Sequence, residues 1–148
     1  MFSSEYFTGK LNNIQDEIIE EFSGLSDWMD KYAYIIELGN AVEPLEEKFK
    51  TPDNIIEGCQ SRVWLQADYI DGKVVFQAES DALIVKGIIA LLIKVVSGHT
   101  PDEILENDLY FIQEIGLKDH LSPTRSNGLL AMVKQMRMYA LAFKAKMA

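Results

Sequence analysis

The apolar positions at the start of the chain repeat with a helical period. Over residues 9–22 they recur every three or four positions, which predicts an amphipathic helix that ends at Gly24. A second helix, capped by Ser26 or Asp27, is predicted to stop at the Gly-Asn pair of residues 39–40. The next stretch, up to residue 53, is charged and contains two prolines, so a loop is expected there.

Beyond this loop the period changes from helical to alternating. Residues 61–70 and 73–78 alternate apolar and polar side chains around an Asp-Gly pair at 71–72, a dipeptide favoured in tight hairpin turns. Residues 54–57 are predicted to form a further short strand. Trp64 interrupts the polar side of the alternation, and a core position is expected for it; the alternative is that it covers the cysteine thiol.

The second half of the chain returns to helices. Residues 81–96 are apolar nearly all round, which predicts a buried central helix. Residues 100–103 (TPDE) form a helix start, with a capping box and proline at the first helical position. A short helix is expected at 109–115, and a last helix from Ser122-Pro123 to about Lys146. The apolar face of that last helix consists of Leu129, Met132, Val133, Met136, Tyr139, Leu141 and Phe143.

These elements together predict an α+β fold in which several helices cover a small antiparallel sheet of about three strands. The length of 148 residues and the hydrophobic fraction of 48% fit a single domain over residues 1–148. The net charge of −9 argues against nucleic acid as a partner. One cysteine excludes a disulfide scaffold and a cysteine-rich metal site within one chain.

No targeting or membrane segment is predicted. The first twenty residues lack a basic start followed by an apolar stretch, so no signal peptide is expected. The most apolar stretch, residues 82–96, is interrupted by Lys86 and Lys94 and is short for a bilayer span. A cytoplasmic location with no membrane partner is therefore expected, and the cysteine stays reduced there.

The cysteine itself, Cys59, is the first candidate for chemistry. Gly58 before it permits a backbone turn, and polar Gln60 and Ser61 follow it. A cation three positions on, Arg62, favours the nucleophilic thiolate. The alternative, that the thiol is a small buried filler, stays open.

A cysteine hydrolase and a metal site are two alternative uses of the same residues. A hydrolase needs a histidine base, and the two candidates are His99 and His120. Neither lies in a recognisable signature around Cys59, and no two potential metal ligands of this kind are close in sequence.

Arg125 is a second candidate functional residue. It occupies the first turn of the last helix, where the helix dipole does not favour a cation. Pairing with a carboxylate or steering of an anion would account for it, and a simply solvated arginine is the alternative. The last 28 residues carry five basic and no acidic side chains, which either balance the acidic start of the chain or face an acidic partner.

Four segments resemble motifs of one family, the SufE sulfur-acceptor proteins of iron–sulfur cluster assembly, together with their CsdE relatives. They occur in the family's order and span the chain from about residue 25 to its end. The segments are residues 31–39 (KYAYIIELG), 56–64 (IEGCQSRVW), 79–87 (ESDALIVKG) and 120–129 (HLSPTRSNGL).

The resemblance implies a SufE/IscU-like fold and a role in sulfur transfer. Cys59 would take persulfide sulfur from a pyridoxal-phosphate (PLP)-dependent cysteine desulfurase of the SufS or CsdA kind and would stimulate that enzyme. The sulfur would pass to an iron–sulfur scaffold of the SufBCD kind, because no second cysteine can discharge it within the chain. The chain itself would be no enzyme and would hold no cofactor or metal.

The resemblance also implies roles around the thiol. Support of the cysteine loop or contact with the partner falls to Gly58, Gln60, Ser61, Asp81 and Arg125. For Asp81 the alternative is a helix cap or a first-turn acid. We also expect Cys59 to be tucked inward in the free protein and to swing out on docking. The competing hypothesis is a regulatory module that binds the desulfurase without using Cys59.

Overall fold

The computed structural model describes residues 10–56 and 62–147, and these form an α+β fold, as predicted. The helices are α1 (Lys10–Ser23), α2 (Trp28–Asn40), α3 (Leu83–Val96), α4 (Pro101–Glu106), α5 (Phe111–Glu114), α6 (Leu117–His120) and α7 (Pro123–Met147). The strands are β1 (Val63–Ile70) and β2 (Lys73–Ser80), and two 3-10 turns precede them at Glu47–Phe49 and Pro52–Asn54. One hydrophobic core joins side chains from helices and strands alike.

The first two helices form where the periodicity predicts them. α1 buries Leu11, Ile18 and Phe22 along one face. Asp27 caps α2, because its side chain accepts a hydrogen bond from the backbone nitrogen of Asp30 at 2.9 Å.

The strands form one antiparallel hairpin around the predicted Asp-Gly turn. Asp71 and Gly72 both have positive φ, 52° and 79°, as a type I′ turn requires. The alternation is confirmed, because the alternate positions Val63, Leu65, Val74, Phe76, Ala78 and Ser80 are buried on one face of the hairpin. α3 contacts β2, and α7 contacts β1.

The third strand expected at 54–57 is not formed in the described residues. A 3-10 turn takes up Pro52–Asn54, and Ile55 pairs with Trp64 through a single isolated bridge. The chain therefore meets β1 at one point rather than along a ladder. Glu57 lies outside the described residues.

The core position expected for Trp64 is wrong. Trp64 pairs across the hairpin with Glu79, on the face opposite the buried one, and its side chain is only half-buried. The Lys50 ammonium lies 5.7 Å from the centre of its ring.

The central helix α3 begins two residues later than predicted. Ala82 occupies its N-cap and makes no side-chain capping bond, and no acidic residue lies in its first turn. Asp81 is therefore neither a cap nor a first-turn acid. The physical reason is that β2 continues to Ser80, which is buried opposite Val63, so Asp81 and Ala82 are used to turn the chain.

The capping box of α4 is confirmed on both sides. The Thr100 hydroxyl accepts from the Glu103 backbone nitrogen, and the Glu103 carboxylate accepts from the Thr100 nitrogen, each at 3.1 Å. The short helix α6 was not predicted and includes His120. It follows Gly116, whose φ is +79°, and buries Leu117.

The last helix α7 starts as predicted, with the Ser122 hydroxyl accepting from the Arg125 backbone nitrogen at 3.3 Å. Its predicted apolar face is buried or half-buried except at Leu141, which is 58% exposed. α7 crosses the buried face of the hairpin. The Tyr139 ring lies 6.5 Å from that of Phe76, and Phe143 stacks on Tyr69 at 5.3 Å.

Candidate functional site

The two ends of the segment that contains Cys59 are hydrogen-bonded to each other. The Ile56 backbone nitrogen donates to the Val63 carbonyl at 2.9 Å, and Ile55 forms a bridge with Trp64. Gly58, Cys59, Gln60 and Ser61 belong to this segment and lie outside the described residues. We call Ile55 and Ile56, with their partners Val63 and Trp64, the base of the cysteine segment. These contacts fix the base at the start of β1.

Asp81 leaves the hairpin at this same end. Val63 and Ser80 are opposite each other in the register, and residues paired in this way are about 5 Å apart at their α-carbons. Asp81 follows directly and is exposed. The hairpin thus brings Asp81 next to the base of the cysteine segment, and the role that the resemblance implies for Asp81 stays a prediction.

The N-terminal part of α7 is directed toward this same end of the hairpin. Phe143 contacts Tyr69, near the hairpin turn, and Tyr139 contacts Phe76, further from that turn. The helix therefore runs back toward the base of the cysteine segment, and Arg125 lies roughly 21 Å along its axis before Tyr139. The exposed Arg125 therefore lies on the side of Tyr139 toward that end.

An ion pair lies beside the base of the segment. The Lys50 ammonium is 2.8 Å from one oxygen of Glu79, and the other oxygen accepts from the Leu45 backbone nitrogen at 2.7 Å. The bond from Lys50 holds the pKa of Glu79 below its ordinary value, and the bond to Glu79 raises the pKa of Lys50. Both side chains keep only about a fifth of their accessible surface, 20% and 19%.

A cavity of about 320 Å³ separates the base of the segment from α7. Asn54, Ile55 and Ile56 line one wall, and Gln135 and Met138 of α7 line the other. The cavity lies next to the cysteine segment and has room for a side chain or a small group. Its walls are partly apolar and partly amide.

The two histidines have other partners in the described part of the chain. His99 is buried and bridges Val74, close to the hairpin turn and six strand residues from Ser80. That spacing is about 20 Å along the strand. His120 stacks on Trp28 at 3.8 Å, and its Nδ1 lies 3.1 Å from the Gly116 carbonyl.

Two further observations on the described ranges bear on other classes of function. Within residues 10–56 and 62–147, no three histidine, cysteine, aspartate or glutamate side chains converge in a way that could hold a metal ion. Over the same ranges, no helix combines the length and the apolar character needed to cross a bilayer.

The sequence of this chain places it among proteins of iron–sulfur metabolism. Residues 16–140 match the family model described as SufE, Fe-S metabolism associated domain. The chain belongs to the SufE family. Its fold is also similar to the solution structure of a hypothetical protein from Thermus thermophilus, with a TM-score of 0.73 and 23% identity. That likeness covers 91% of this chain and 97% of the other.

Sequence reasoning missed Lys50 and Glu79, which the fold brings together from 29 positions apart. Lys50 was one charge of an expected loop, and Glu79 was the start of a recognised motif. The hairpin register could have placed Glu79 near the cysteine segment, because it pairs Glu79 with Trp64. The position of Lys50 depends on the two 3-10 turns, which no local pattern specified.

Proposed function

We propose that this chain is a sulfur acceptor and carrier. It takes persulfide sulfur from a PLP-dependent cysteine desulfurase onto Cys59, stimulates that desulfurase, and passes the sulfur to an iron–sulfur scaffold. The observation that supports this most is the Ile56–Val63 hydrogen bond. It ties a short segment around the chain's one cysteine to the end of the hairpin, in a family of iron–sulfur metabolism.

The transfer step is a thiol–persulfide exchange. The Cys59 thiolate attacks the outer sulfur of the desulfurase persulfide, and a new S–S bond forms at Cys59. The S–S bond of the donor breaks, and its cysteine leaves as a thiolate. The outer sulfur keeps its proton, so no external oxidant, reductant or histidine base is required.

The neighbouring residues have proposed roles in this exchange. Gly58 permits the turn, and Gln60 and Ser61 shape the segment around the thiol. Asp81 and Arg125, exposed at the same end of the molecule, contact the desulfurase or support the segment. The chain is a partner of the desulfurase rather than an enzyme, because the PLP chemistry belongs to the desulfurase.

The test is the intact mass of the chain after incubation with a SufS-type desulfurase, PLP and free cysteine. We expect a gain of one sulfur atom that a reductant reverses and that Cys59→Ser abolishes. Met29→Ala, which changes an exposed side chain on α2, is the control and should gain sulfur like the wild type.

Two results would overturn the carrier role. If the mass does not change but desulfurase turnover still rises with Cys59→Ser, the chain is a regulatory module. If neither mass nor turnover changes with the wild-type chain, it is neither carrier nor activator for that desulfurase class.

A further inference from the structure

Glu79 ties the segment before the cysteine to the hairpin at two points. One carboxylate oxygen forms an ion pair with the Lys50 ammonium at 2.8 Å, and the other accepts a hydrogen bond from the Leu45 backbone nitrogen at 2.7 Å. Leu45 is buried, with 5% of its surface exposed. Lys50 also reaches Glu47 at 3.3 Å, within the same segment. A single strand residue therefore holds both ends of residues 45–50.

From Lys50 the chain reaches the base of the cysteine segment in six residues, and further contacts fix this stretch. The Asn54 side-chain amide donates to the Phe49 carbonyl at 2.7 Å and to the Gln66 side chain of β1 at 3.0 Å. The next two residues are Ile55 and Ile56, which make the bridge to Trp64 and the hydrogen bond to Val63. A series of contacts therefore links Glu79, through residues 50–56, to the base of the cysteine segment.

The ion pair also lies at the same level of the hairpin as that base. Glu79 is directly opposite Trp64 in the register, and Trp64 is the residue that bridges Ile55. The Lys50 ammonium sits 5.7 Å from the Trp64 ring. Loss of the ion pair would therefore weaken the contacts of Ile55 and Ile56 with β1 before others.

A second ion pair in the same stretch provides the contrast. Lys48 and Glu46 are 3.5 Å apart, and their side chains are 67% and 69% exposed. A pair of that exposure is screened by solvent and contributes little. The Lys50–Glu79 pair is shorter and largely withdrawn from water, so it has the stronger interaction of the two.

We propose that Lys50 and Glu79 are positioning residues for sulfur transfer, because their ion pair keeps the base of the cysteine segment bonded to β1. This inference rests on the proposed function for its catalytic consequence, but not for its structural one. The ion pair acts through the Ile56–Val63 hydrogen bond and does not touch the reacting sulfur.

The structural half is tested by amide hydrogen exchange in Lys50→Met, which removes the charge and keeps the aliphatic stem. We expect the Ile56 amide to exchange about fivefold faster or more. The Val74 amide, which donates to the His99 carbonyl at 2.8 Å in an equivalent bridge, should change by less than about twofold. Lys50→Arg should restore the wild-type rate, and Lys48→Met should not alter it.

The catalytic half is tested by the rate of sulfur gain as the desulfurase concentration is varied. For Lys50→Met we expect the saturating rate to fall about fivefold and the half-saturating concentration to change by less than about twofold. Lys50→Arg should keep the wild-type rate.

Equal acceleration at Ile56 and Val74, or none at Ile56, would overturn the inference, because the pair would then act on stability alone or not at all. Faster exchange at Ile56 with an unchanged saturating rate would overturn the positioning role and leave the proposed function intact. A wild-type chain that gains no sulfur would refute the proposed function, while the exchange comparison would still decide the structural half.

Discussion

Gly39 and Gly87 lie directly against each other where α2 crosses α3. A Cβ on Gly39 would be 2.6 Å from the Gly87 nitrogen, and a Cβ on Gly87 would be 2.1 Å from the Ile35 carbonyl oxygen. Backbone meets backbone here, so neither helix can accept a side chain without moving apart. α2 ends at Asn40, at the predicted Gly-Asn pair, and Gly39 in its last turn makes this contact.

The crossing makes Gly87→Ala a strongly destabilising change. The new methyl group would collide with backbone atoms and the Ile35 side chain, so we expect a loss of about 3 kcal/mol or more in the free energy of unfolding. Urea denaturation measures it. Gly24→Ala is the control, because its nearest contact would be an ordinary 3.6 Å from the Glu21 oxygen. Similar losses in both variants would contradict the close approach.

The buried amide of Gln15 makes a second prediction. Its nitrogen donates to the Asp108 carbonyl at 3.0 Å, and its oxygen accepts from the Phe111 backbone nitrogen at 3.1 Å. Gln15→Leu leaves the buried Phe111 nitrogen and the partly buried Asp108 carbonyl without this partner, which should cost about 2–3 kcal/mol in urea denaturation. The same change at exposed Gln113 should cost under about 0.5 kcal/mol. Equal costs would show that the Gln15 bonds are not structural.

Tyr110 should ionise at a higher pH than an ordinary tyrosine. Burial, and then the hydrogen bond to the Asp16 carboxylate at 2.6 Å, raise its pKa from 10.0 to about 12. The raised value adds stability below pH 10 that is lost as the pH rises toward 12, because the unfolded chain releases this proton earlier. Tyrosinate absorbance should show a late step that Tyr110→Phe removes and Asp16→Asn shifts to lower pH. Loss of an early step instead would refute the assignment.

Charge reversal at Arg125 should weaken docking to the desulfurase if the proposed interface is right. Arg125→Glu is expected to raise the half-saturating desulfurase concentration about threefold to tenfold, with a smaller effect at high salt. Lys146→Glu makes the same charge change at the other end of α7, roughly 32 Å away along the axis, and should leave docking unchanged. Equal effects of both variants would indicate a general charge effect.

The elements that the sequence predicts well are those set by near neighbours. The Thr100–Glu103 capping box and the Asp71–Gly72 turn each depend on residues no more than four positions apart. Their hydrogen bonds and dihedral angles are local properties, so tertiary packing did not need to be known. The position of Asp81 beside the base of the cysteine segment follows instead from the hairpin register.

The sequence analysis was wrong, or made no prediction, where contacts between residues far apart in the chain determine the structure. Asp81 looks like a helix cap, yet the pairing of Ser80 with Val63 delays the start of α3. Gln15 occupies a core position of α1 because α5 supplies partners for its amide. Leu141 fits the apolar spacing of α7 but is exposed. None of these outcomes is encoded within one turn of the residue concerned.

The backbone of β2 that faces away from β1 is occupied at Val74 and at the Phe76 nitrogen, near the hairpin turn, and this limits how a partner can bind there. The Val74 nitrogen donates to His99, the Val74 carbonyl accepts from Gly98, and the Phe76 nitrogen donates to the Ser97 hydroxyl. An extended peptide cannot pair with β2 at Val74 and Phe76 as an added strand unless the turn after α3 is displaced. Recognition at this part of the strand must rely on side chains, and the same hydrogen bonds prevent it from pairing with β2 of another copy.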